Sequence, residues 1–276
     1  MSVDASKKPT DVLNLATYPL DKGGAERDRL VHACREGIRD VGCFVLPGFV
    51  SAGAIARIRD ELDALAPKAT LHSRYRTSYQ SRGGDQNFPS IHPRNILHLD
   101  RYRVTRQSVM TPDCGLNQIY HSSHLMNFLE DIFQKPLQRI LPNDNSRSAT
   151  TTVAYEGISV NTQEHGDSLI WHFDNNDFVV TIGIETPDGG GEFQYVPFIR
   201  SDADEGYDAI MSVFLGEHPG IRRIMLQPGT LVGFAGRRSI HRVSPIYGTA
   251  RRVTSVMSFN DKQEETKRDK VGEFRI

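Results

Sequence analysis

The stretch WHFDNNDFVVTIGIE (171–185) contains the strongest signals for the fold and for a functional site. His172 and Asp174 stand two residues apart, shortly before the apolar run FVVTIGI (178–184). That run has the composition of a buried β-strand. Since side chains alternate along a strand, His172 and Asp174 are expected to project from the same face of the chain.

A second histidine, His241, follows much later, in the string RSIHRVSPI (238–246). Two imidazoles and one carboxylate form the set that binds non-haem Fe(II) on one triangular face and leaves the opposite positions open. We therefore predict a metal site made of His172, Asp174 and His241. The residues alone also allow a plainer interpretation, in which His172 bonds a backbone carbonyl and Asp174 is a turn residue.

Arg252 and Thr254 stand two residues apart in the last β-type string, RRVTSVMSF (251–259). A guanidinium can bind a carboxylate with two parallel hydrogen bonds, and a hydroxyl at i+2 faces the same way. The pair therefore predicts an anchor for the far carboxylate of a dicarboxylate co-substrate. Arg251 is expected on the other face, and the strand register, which the sequence leaves open, decides between the two arginines.

The composition excludes several classes of protein. The 276 residues include 33 Lys and Arg against 34 Asp and Glu, so no overall field attracts nucleic acid or an anionic membrane. Three cysteines form no paired framework, and the N-terminus lacks the pattern of a signal peptide, so we expect a cytoplasmic protein. No apolar run is long enough for a membrane span. We expect a small-molecule substrate as partner, and the chain could form a homodimer.

The pattern along the chain predicts a mainly β protein with N-terminal helices. Residues 1–23 are expected to be an extended arm, and residues 24–276 a single domain. Within it, 24–142 should be mainly helical, with helices from Ala25 to Val41, from Ser51 to Pro67 and over 124–133. A short strand and turn are expected over 43–50, and an irregular segment over 68–115. Short β-type runs then predict a sandwich or jelly-roll core over 143–260.

Several polar residues are candidates for substrate binding. The long segment 68–115 carries a cationic and aromatic set that could hold a substrate carboxylate, although a solvated loop is equally consistent; the set comprises Arg74, Arg76, Tyr79, His92 and Arg94. Glu156 and Asn175 flank the predicted metal site and could accept a substrate ammonium. Glu156 could equally be an exposed strand residue.

Four strings resemble the iron(II)/2-oxoglutarate-dependent dioxygenase superfamily: WHFDNNDFVVTIGIE, GGGEFQYVPFIRS (189–201), PGTLVGFAGRRSIHRVSPI (228–246) and RRVTSVMSF. Together with YPLD (18–21), GCFVLPGFV (42–50) and FPSIHPRN (88–95), they are similar to the branch containing the radical halogenases of free lysine and their hydroxylating relatives. The resemblance implies a double-stranded β-helix of the jelly-roll or cupin type. It also implies Fe(II) on His172, Asp174 and His241, 2-oxoglutarate on Arg252, and O2 as second co-substrate.

One departure from the halogenases changes the chemistry that the resemblance implies. Those enzymes carry glycine at the carboxylate position, which leaves room for chloride, whereas this chain carries Asp174. The expected activity is therefore hydroxylation of a free amino acid, with a polar or cationic side chain, rather than halogenation. Desaturation or cyclisation is an alternative within the same chemistry. A cupin-like protein that binds metal or ligand without turnover is a further alternative, against which Arg252 and Thr254 argue.

Overall fold

The computed structural model describes residues 12–140 and 156–261. In these ranges the chain forms five α-helices: α1 (Ala25–Val41), α2 (Ala52–Leu65), α3 (Gly115–His121), α4 (Ser123–Phe133) and α5 (Tyr207–Phe214). It also forms fifteen β-strands: β1 (Cys43–Leu46), β2 (Thr70–Arg76), β3 (His98–Arg106), β4 (Leu137–Arg139), β5 (Ile158–Gln163), β6 (Leu169–His172), β7 (Val179–Glu185), β8 (Gly189–Gly190), β9 (Phe193–Val196), β10 (Arg222–Ile224), β11 (Leu231–Phe234), β12 (Ile240–Val243), β13 (Ile246–Tyr247), β14 (Arg252–Met257) and β15 (Phe259–Asp261).

The strands pair antiparallel and build two facing sheets. The large sheet has seven strands in the order β1-β11-β7-β14-β5-β3-β2, and the small sheet has four in the order β10-β9-β12-β6. Two short pairs, β13-β8 and β15-β4, complete the set. The chain is therefore mainly β with helices, and its fold is the predicted double-stranded β-helix.

Apolar side chains divide the molecule into layers. One face of the large sheet, with Ile182 and Met257, packs against α1 to α4 through residues such as Phe128. The opposite face of the large sheet meets the small sheet, where Tyr195 packs against Phe234. Fully burying one such side chain stabilises the fold by about 1.5–3 kcal/mol. Helix α5 covers the outer face of the small sheet, so the space between the two sheets is enclosed on both sides.

The predicted helices form where the sequence signals place them. The Ser51 hydroxyl accepts a hydrogen bond from the Ala54 amide (3.3 Å) and begins α2. Gly42 ends α1 with φ 77°, a left-handed conformation that glycine adopts without steric penalty. The helix expected over 124–133 is confirmed as α4.

The prediction that residues 68–115 are irregular is wrong at both ends of that segment. Strands β2 and β3 form a hairpin that joins the edge of the large sheet, and only residues 77–97 connect them as a loop. The inward face of this hairpin is polar; it carries His72, Arg74, Arg76, His98, Asp100 and Tyr102. A half-buried strand usually shows apolar inward residues alternating with polar outward ones. In β2 and β3 the inward residues are polar too, so this sequence signal is missing.

The expected arm is also only partly an arm. Val12, Leu13, Tyr18 and Leu20 are buried, and the Tyr18 hydroxyl donates to the Pro47 carbonyl (2.7 Å). The short strand expected within 43–50 is confirmed as β1. Together with β2 and β3 it belongs to the large sheet, so the part before residue 142 is not purely helical. Residues 1–11, most of the expected β-type run TTVAYEG (151–157) and the residues after 261 lie outside the described ranges.

None of the helices in residues 12–140 and 156–261 combines the length and the apolar composition that a membrane crossing requires.

Tyr120 joins the helical layer to the end of the sheet, and this contact generates a stability prediction. Its fully buried hydroxyl donates to the Ser258 carbonyl (2.7 Å) and accepts from the Ile140 amide (2.9 Å). Tyr120→Phe removes a partner that two backbone groups share, so the free energy of unfolding should fall by about 1–3 kcal/mol in chemical denaturation. The matched control Tyr247→Phe, at a residue that is 56% exposed, should change it by less than about 0.5 kcal/mol. Equal effects of the two changes would contradict the assignment.

Candidate metal centre and its surroundings

Pairing of β6 with β12 brings the two predicted histidines together. His172 lies directly opposite His241 in this antiparallel pair, and their ring centroids are 4.1 Å apart. Both rings point into the space between the sheets, where His241 packs against Phe234 (centroids 4.8 Å apart). The alternate side chains of the same strands, Trp171 and Ile240, pack on the outer face beside α5.

Asp174 completes the group just beyond the end of β6. Its amide donates to the Gly236 carbonyl (3.1 Å), which fixes the chain as it leaves the strand. Its carboxylate Oδ1 is 3.6 Å from His172 Nε2, and Oδ2 is 3.4 Å from His241 Nε2. One ligand atom from each residue can be chosen so that all lie within 4.8 Å of one another. This spacing suits a single ion with metal–ligand bonds of about 2 Å.

Hydrogen bonds orient both imidazoles for metal binding. His172 Nδ1 contacts the Ile170 carbonyl (2.8 Å), and His241 Nδ1 contacts the Ser239 carbonyl (3.0 Å). A carbonyl can only accept, so each Nδ1 carries the proton and each Nε2 offers its lone pair to the centre.

The charge states also suit a divalent cation. Burial, followed by the charges of His241 and Arg76, lowers the pKa of His172 to about 3, so this ring is neutral near pH 7. Burial alone would raise the pKa of Asp174, but the two histidines outweigh it and lower the pKa below its usual range. Two imidazoles and one carboxylate are the donor set that Fe(II) takes, so the residues fit this metal.

Asp100 supports this centre from the hairpin. It is fully buried, it accepts a hydrogen bond from the Ile170 amide (2.8 Å), and it pairs with Arg76. Burial would raise its pKa, but His72, Arg76 and the Ile170 amide outweigh that effect and lower it to about 2. The backbone of Ile170 is thus held at its amide by Asp100 and at its carbonyl by His172. Asp100 is not among the residues predicted from the sequence, although its two-residue spacing from His98 and Tyr102 is a usable signal.

Arg252 and Thr254 face the space between the sheets, as predicted from their spacing. Arg252 is buried; its Nε donates to the Gly191 carbonyl (3.0 Å), and its Nη1 to Gln163 Oε1 (2.9 Å) and Thr254 Oγ1 (3.1 Å). Among the described residues no carboxylate lies close enough to shift the pKa of Arg252, so its charge has no acidic partner there. Burial lowers the pKa of Arg252 to about 10. A buried cation without a carboxylate partner is destabilising unless an anion binds it.

Arg251 faces the other way. Its guanidinium pairs with Glu185 (2.6 Å) and with Asp63 on the helical side of the large sheet. The strand register therefore shows which arginine faces which side, a point that the sequence left open. Arg251 has acidic partners on the helical side, and Arg252 is buried without one.

The predicted substrate-binding set divides into two groups. Arg74 and Arg76 lie on the inward face of β2. The positive charge of Arg76 contributes to the lowered pKa of both His172 and Asp174. Arg74 Nε is buried and has no hydrogen-bond partner among the described residues. Burial and the adjacent Arg76 lower its pKa.

The other group lies away from the metal ligands. Arg94 is 4.5 Å above the Tyr79 ring, and its Nε donates to the Tyr207 hydroxyl (2.7 Å) on α5. Tyr79 packs on Phe173, and His92 packs against Tyr207. Because Phe173 belongs to the apolar cluster on the outer face of the small sheet, this group fastens loop 77–97 to that face.

The two residues predicted to accept a substrate ammonium, Glu156 and Asn175, do not join the group of His172, Asp174 and His241. Glu156 accepts hydrogen bonds from the Ser108 amide (2.8 Å) and hydroxyl (2.9 Å). It precedes the first residue of β5, whereas Gln163 is the last residue of that strand. Asn175 follows Asp174 in the chain and is exposed on the turn.

Comparisons with known proteins agree with this geometry. A family model described as Halogenase D matches residues 26–273. No curated protein sequence matches the chain.

Solved structures show the same fold at low sequence identity. The non-heme alpha-ketoglutarate-dependent carbocyclase SnoK from nogalamycin biosynthesis is 12% identical, with a TM-score of 0.57 over 88% of this chain and 85% of that chain. The corresponding epimerase SnoN is 12% identical, with a TM-score of 0.55 over 85% and 83%. HygX from Streptomyces hygroscopicus, solved with nickel, 2-oxoglutarate and hygromycin B, is 12% identical, with a TM-score of 0.55 over 83% and 87%.

The predicted superfamily is therefore confirmed, while the amino-acid branch stays a prediction. Since the family model spans well over half of the sequence, this chain belongs to the Halogenase D family, on the fold of the iron(II)/2-oxoglutarate oxygenases.

Proposed function

We propose that this protein is an Fe(II)- and 2-oxoglutarate-dependent oxygenase that hydroxylates a small carboxylate-bearing substrate, and that a free amino acid is the best candidate. The observation that carries the proposal is the convergence of His172, Asp174 and His241 within 4.8 Å, on a fold that also buries Arg252 without a carboxylate partner. A protein that only binds metal has no need for such a buried cation.

The residues of this chain have distinct tasks in the proposed reaction. His172, Asp174 and His241 would hold the iron on one face and leave its other positions open. Arg252, oriented by Gln163, would bind the far carboxylate of 2-oxoglutarate together with Thr254. Iron with 2-oxoglutarate and O2 supplies the oxidation of an unactivated C–H bond, and the protein aims one such bond and excludes water.

The inward arginines of β2 support a carboxylate on the substrate. The carboxylate of Asp100 neutralises the charge of Arg76. Arg74, two residues away on the same strand, has a buried Nε without a hydrogen-bond partner among the described residues. One carboxylate placed at Arg74 would satisfy both its charge and its hydrogen bond. An amino acid bound in this way directs its side chain away from the arginines. Glu156 is engaged with Ser108, so the preference for a cationic side chain rests on the sequence resemblance alone.

Asp174 favours hydroxylation over halogenation. A carboxylate on the iron occupies the position that the resembling halogenases leave for chloride. The direct test is a screen of the free amino acids for succinate release, followed by mass spectrometry of the product with chloride present. Gain of one oxygen atom is expected. Loss of two hydrogen atoms would indicate desaturation or cyclisation, and gain of chlorine would refute the assignment.

The metal assignment predicts the effect of removing one imidazole. His172→Ala and His241→Ala should each abolish tight Fe(II) binding and succinate release, because two remaining ligands do not hold the ion on a defined face. Anaerobic titration with Fe(II) measures the first effect directly. His32→Ala is the control, since the His32 side chain is 70% exposed on α1. Full turnover of either ligand variant at low micromolar iron would remove the assignment.

The co-substrate assignment predicts a difference between adjacent arginines. Arg252→Ala should raise the 2-oxoglutarate concentration that is needed for half-maximal rate, since losing a buried charge-assisted contact costs on the order of 2–5 kcal/mol. Arg251→Ala removes the pair with Glu185 and should affect stability more than 2-oxoglutarate binding. The reverse order of effects would show that Arg251 is the anchor.

The substrate assignment predicts a selective defect at Arg74. Arg74→Ala should weaken substrate binding by about tenfold or more, because an exchange of the anchoring carboxylate contact for water costs at least ~1.4 kcal/mol. The half-saturating concentration of 2-oxoglutarate should change little. Arg103→Ala, on the exposed face of the same hairpin, is the matched control. Equal loss of substrate and 2-oxoglutarate binding would place Arg74 in the general framework of the site.

A further inference from the structure

We propose that Gly236 is a positioning residue for Asp174: the missing side chain at position 236 leaves the space in which the Asp174 carboxylate lies at the metal centre. The inference rests on the proposed metal site and adds a residue that determines whether the protein supplies the third ligand. Gly236 lies between β11 and β12, in the segment that leads to His241.

The contact between the two residues is closer than a side chain at 236 permits. A Cβ atom on Gly236 would overlap Asp174 Oδ2 and would lie only 2.7 Å from Cγ and 2.9 Å from Cβ of Asp174. At the same time the Gly236 carbonyl accepts the Asp174 amide (3.1 Å), which holds the two backbones together. The overlap therefore falls on the metal-binding carboxylate itself.

Backbone conformation does not explain this glycine. Gly236 is absent from the glycines with positive φ, whereas Gly42, for example, has φ 77° and ends a helix. The left-handed conformation that favours glycine is therefore not the reason for a glycine at position 236. What position 236 requires is space, and the space is filled by Asp174.

The backbone around Gly236 is fixed, so the carboxylate rather than the loop should yield. The Ala235 amide donates to the Gly42 carbonyl (2.9 Å), and Arg200 Nε donates to the Arg237 carbonyl (2.8 Å). Arg238 pairs with Asp202 (2.6 Å). The Asp174 side chain, by contrast, is 19% exposed and ends in two rotatable bonds. A methyl group at 236 would therefore turn the carboxylate away from the histidines, and the Asp174 backbone would also have to shift slightly, because its Cβ would lie only 2.9 Å from the new Cβ; the centre would then keep two ligands.

The test is a double-mutant cycle on metal affinity. Gly236→Ala and Asp174→Gly are made singly and together, and Co(II) binding is measured optically beside the unfolding temperature of the metal-free protein. Gly236→Ala should weaken Co(II) binding tenfold or more in the wild-type background. In the Asp174→Gly background, where two ligands bind Co(II) only weakly and the titration extends to millimolar metal, the same change should alter the affinity by less than twofold, because no carboxylate is left to displace.

Two control substitutions separate a local effect from general damage. Gly233→Ala on β11 would meet the Phe44 ring (Cδ1 3.1 Å away) and should lower the unfolding temperature without changing Co(II) affinity. Gly53→Ala, with no atom within 4 Å of the new Cβ, should change neither.

Each outcome decides the question. Wild-type affinity in Gly236→Ala would overturn the inference, and so would effects that multiply in the double variant, since these would mean that the loop and His241 had moved. If Gly236→Ala does not fold, the double variant should still fold as Asp174→Gly does, and failure of both would also overturn the inference. Lack of Co(II) binding by the wild-type protein would instead refute the proposed metal site.

Discussion

The antiparallel pairing of β6 with β12 is the constraint on which the candidate site depends. It places His172 opposite His241 and turns both rings into the space between the two sheets. A slip of one residue would carry one imidazole to the outer face, among the apolar side chains beneath α5. The register is secured on the other side of β12, where His241 lies opposite Tyr195 of β9 and both side chains belong to the inter-sheet layer.

Around His172 and His241, the space between the sheets contains positive charge that no carboxylate of the described residues neutralises. Arg252 is buried without a carboxylate partner, and Arg74 keeps an unpartnered Nε next to Arg76. Such groups lower the stability of the free protein, since desolvation of a cation is costly without an anion. The apolar layer beneath α1 to α4 offsets this cost, and the proposed ligands would remove it by binding. The same polarity that suits binding explains why β2 and β3 do not look like buried strands.

The relation to the halogenases depends on one carboxylate and on the space that it occupies. The chain belongs to the Halogenase D family and carries an aspartate at position 174, where the resemblance to the lysine halogenases implies a glycine in those enzymes. The geometry around Asp174 is specific to a carboxylate, because its two oxygens lie 3.6 and 3.4 Å from the two imidazoles and Gly236 adds no side chain beside them. The chemistry of the centre is thus a property of paired positions that are distant in the chain.

The sequence by itself predicted the mainly β fold, the helices α1, α2 and α4, and the three residues that converge at the candidate metal centre. These follow from local patterns: apolar periodicity, helix capping and the two-residue spacing of His172 and Asp174. Only the tertiary structure decided that Arg252 rather than Arg251 faces the interior, that Arg74 and Arg76 lie on a strand, and that Arg94 belongs to the outer face. It also placed Asp100 against the Ile170 amide, Gly236 against Asp174, and Glu156 beside Ser108. The physical reason is that register and inter-sheet packing fix which face a residue occupies and which distant residue lies beside it, and neither leaves a trace in the local sequence.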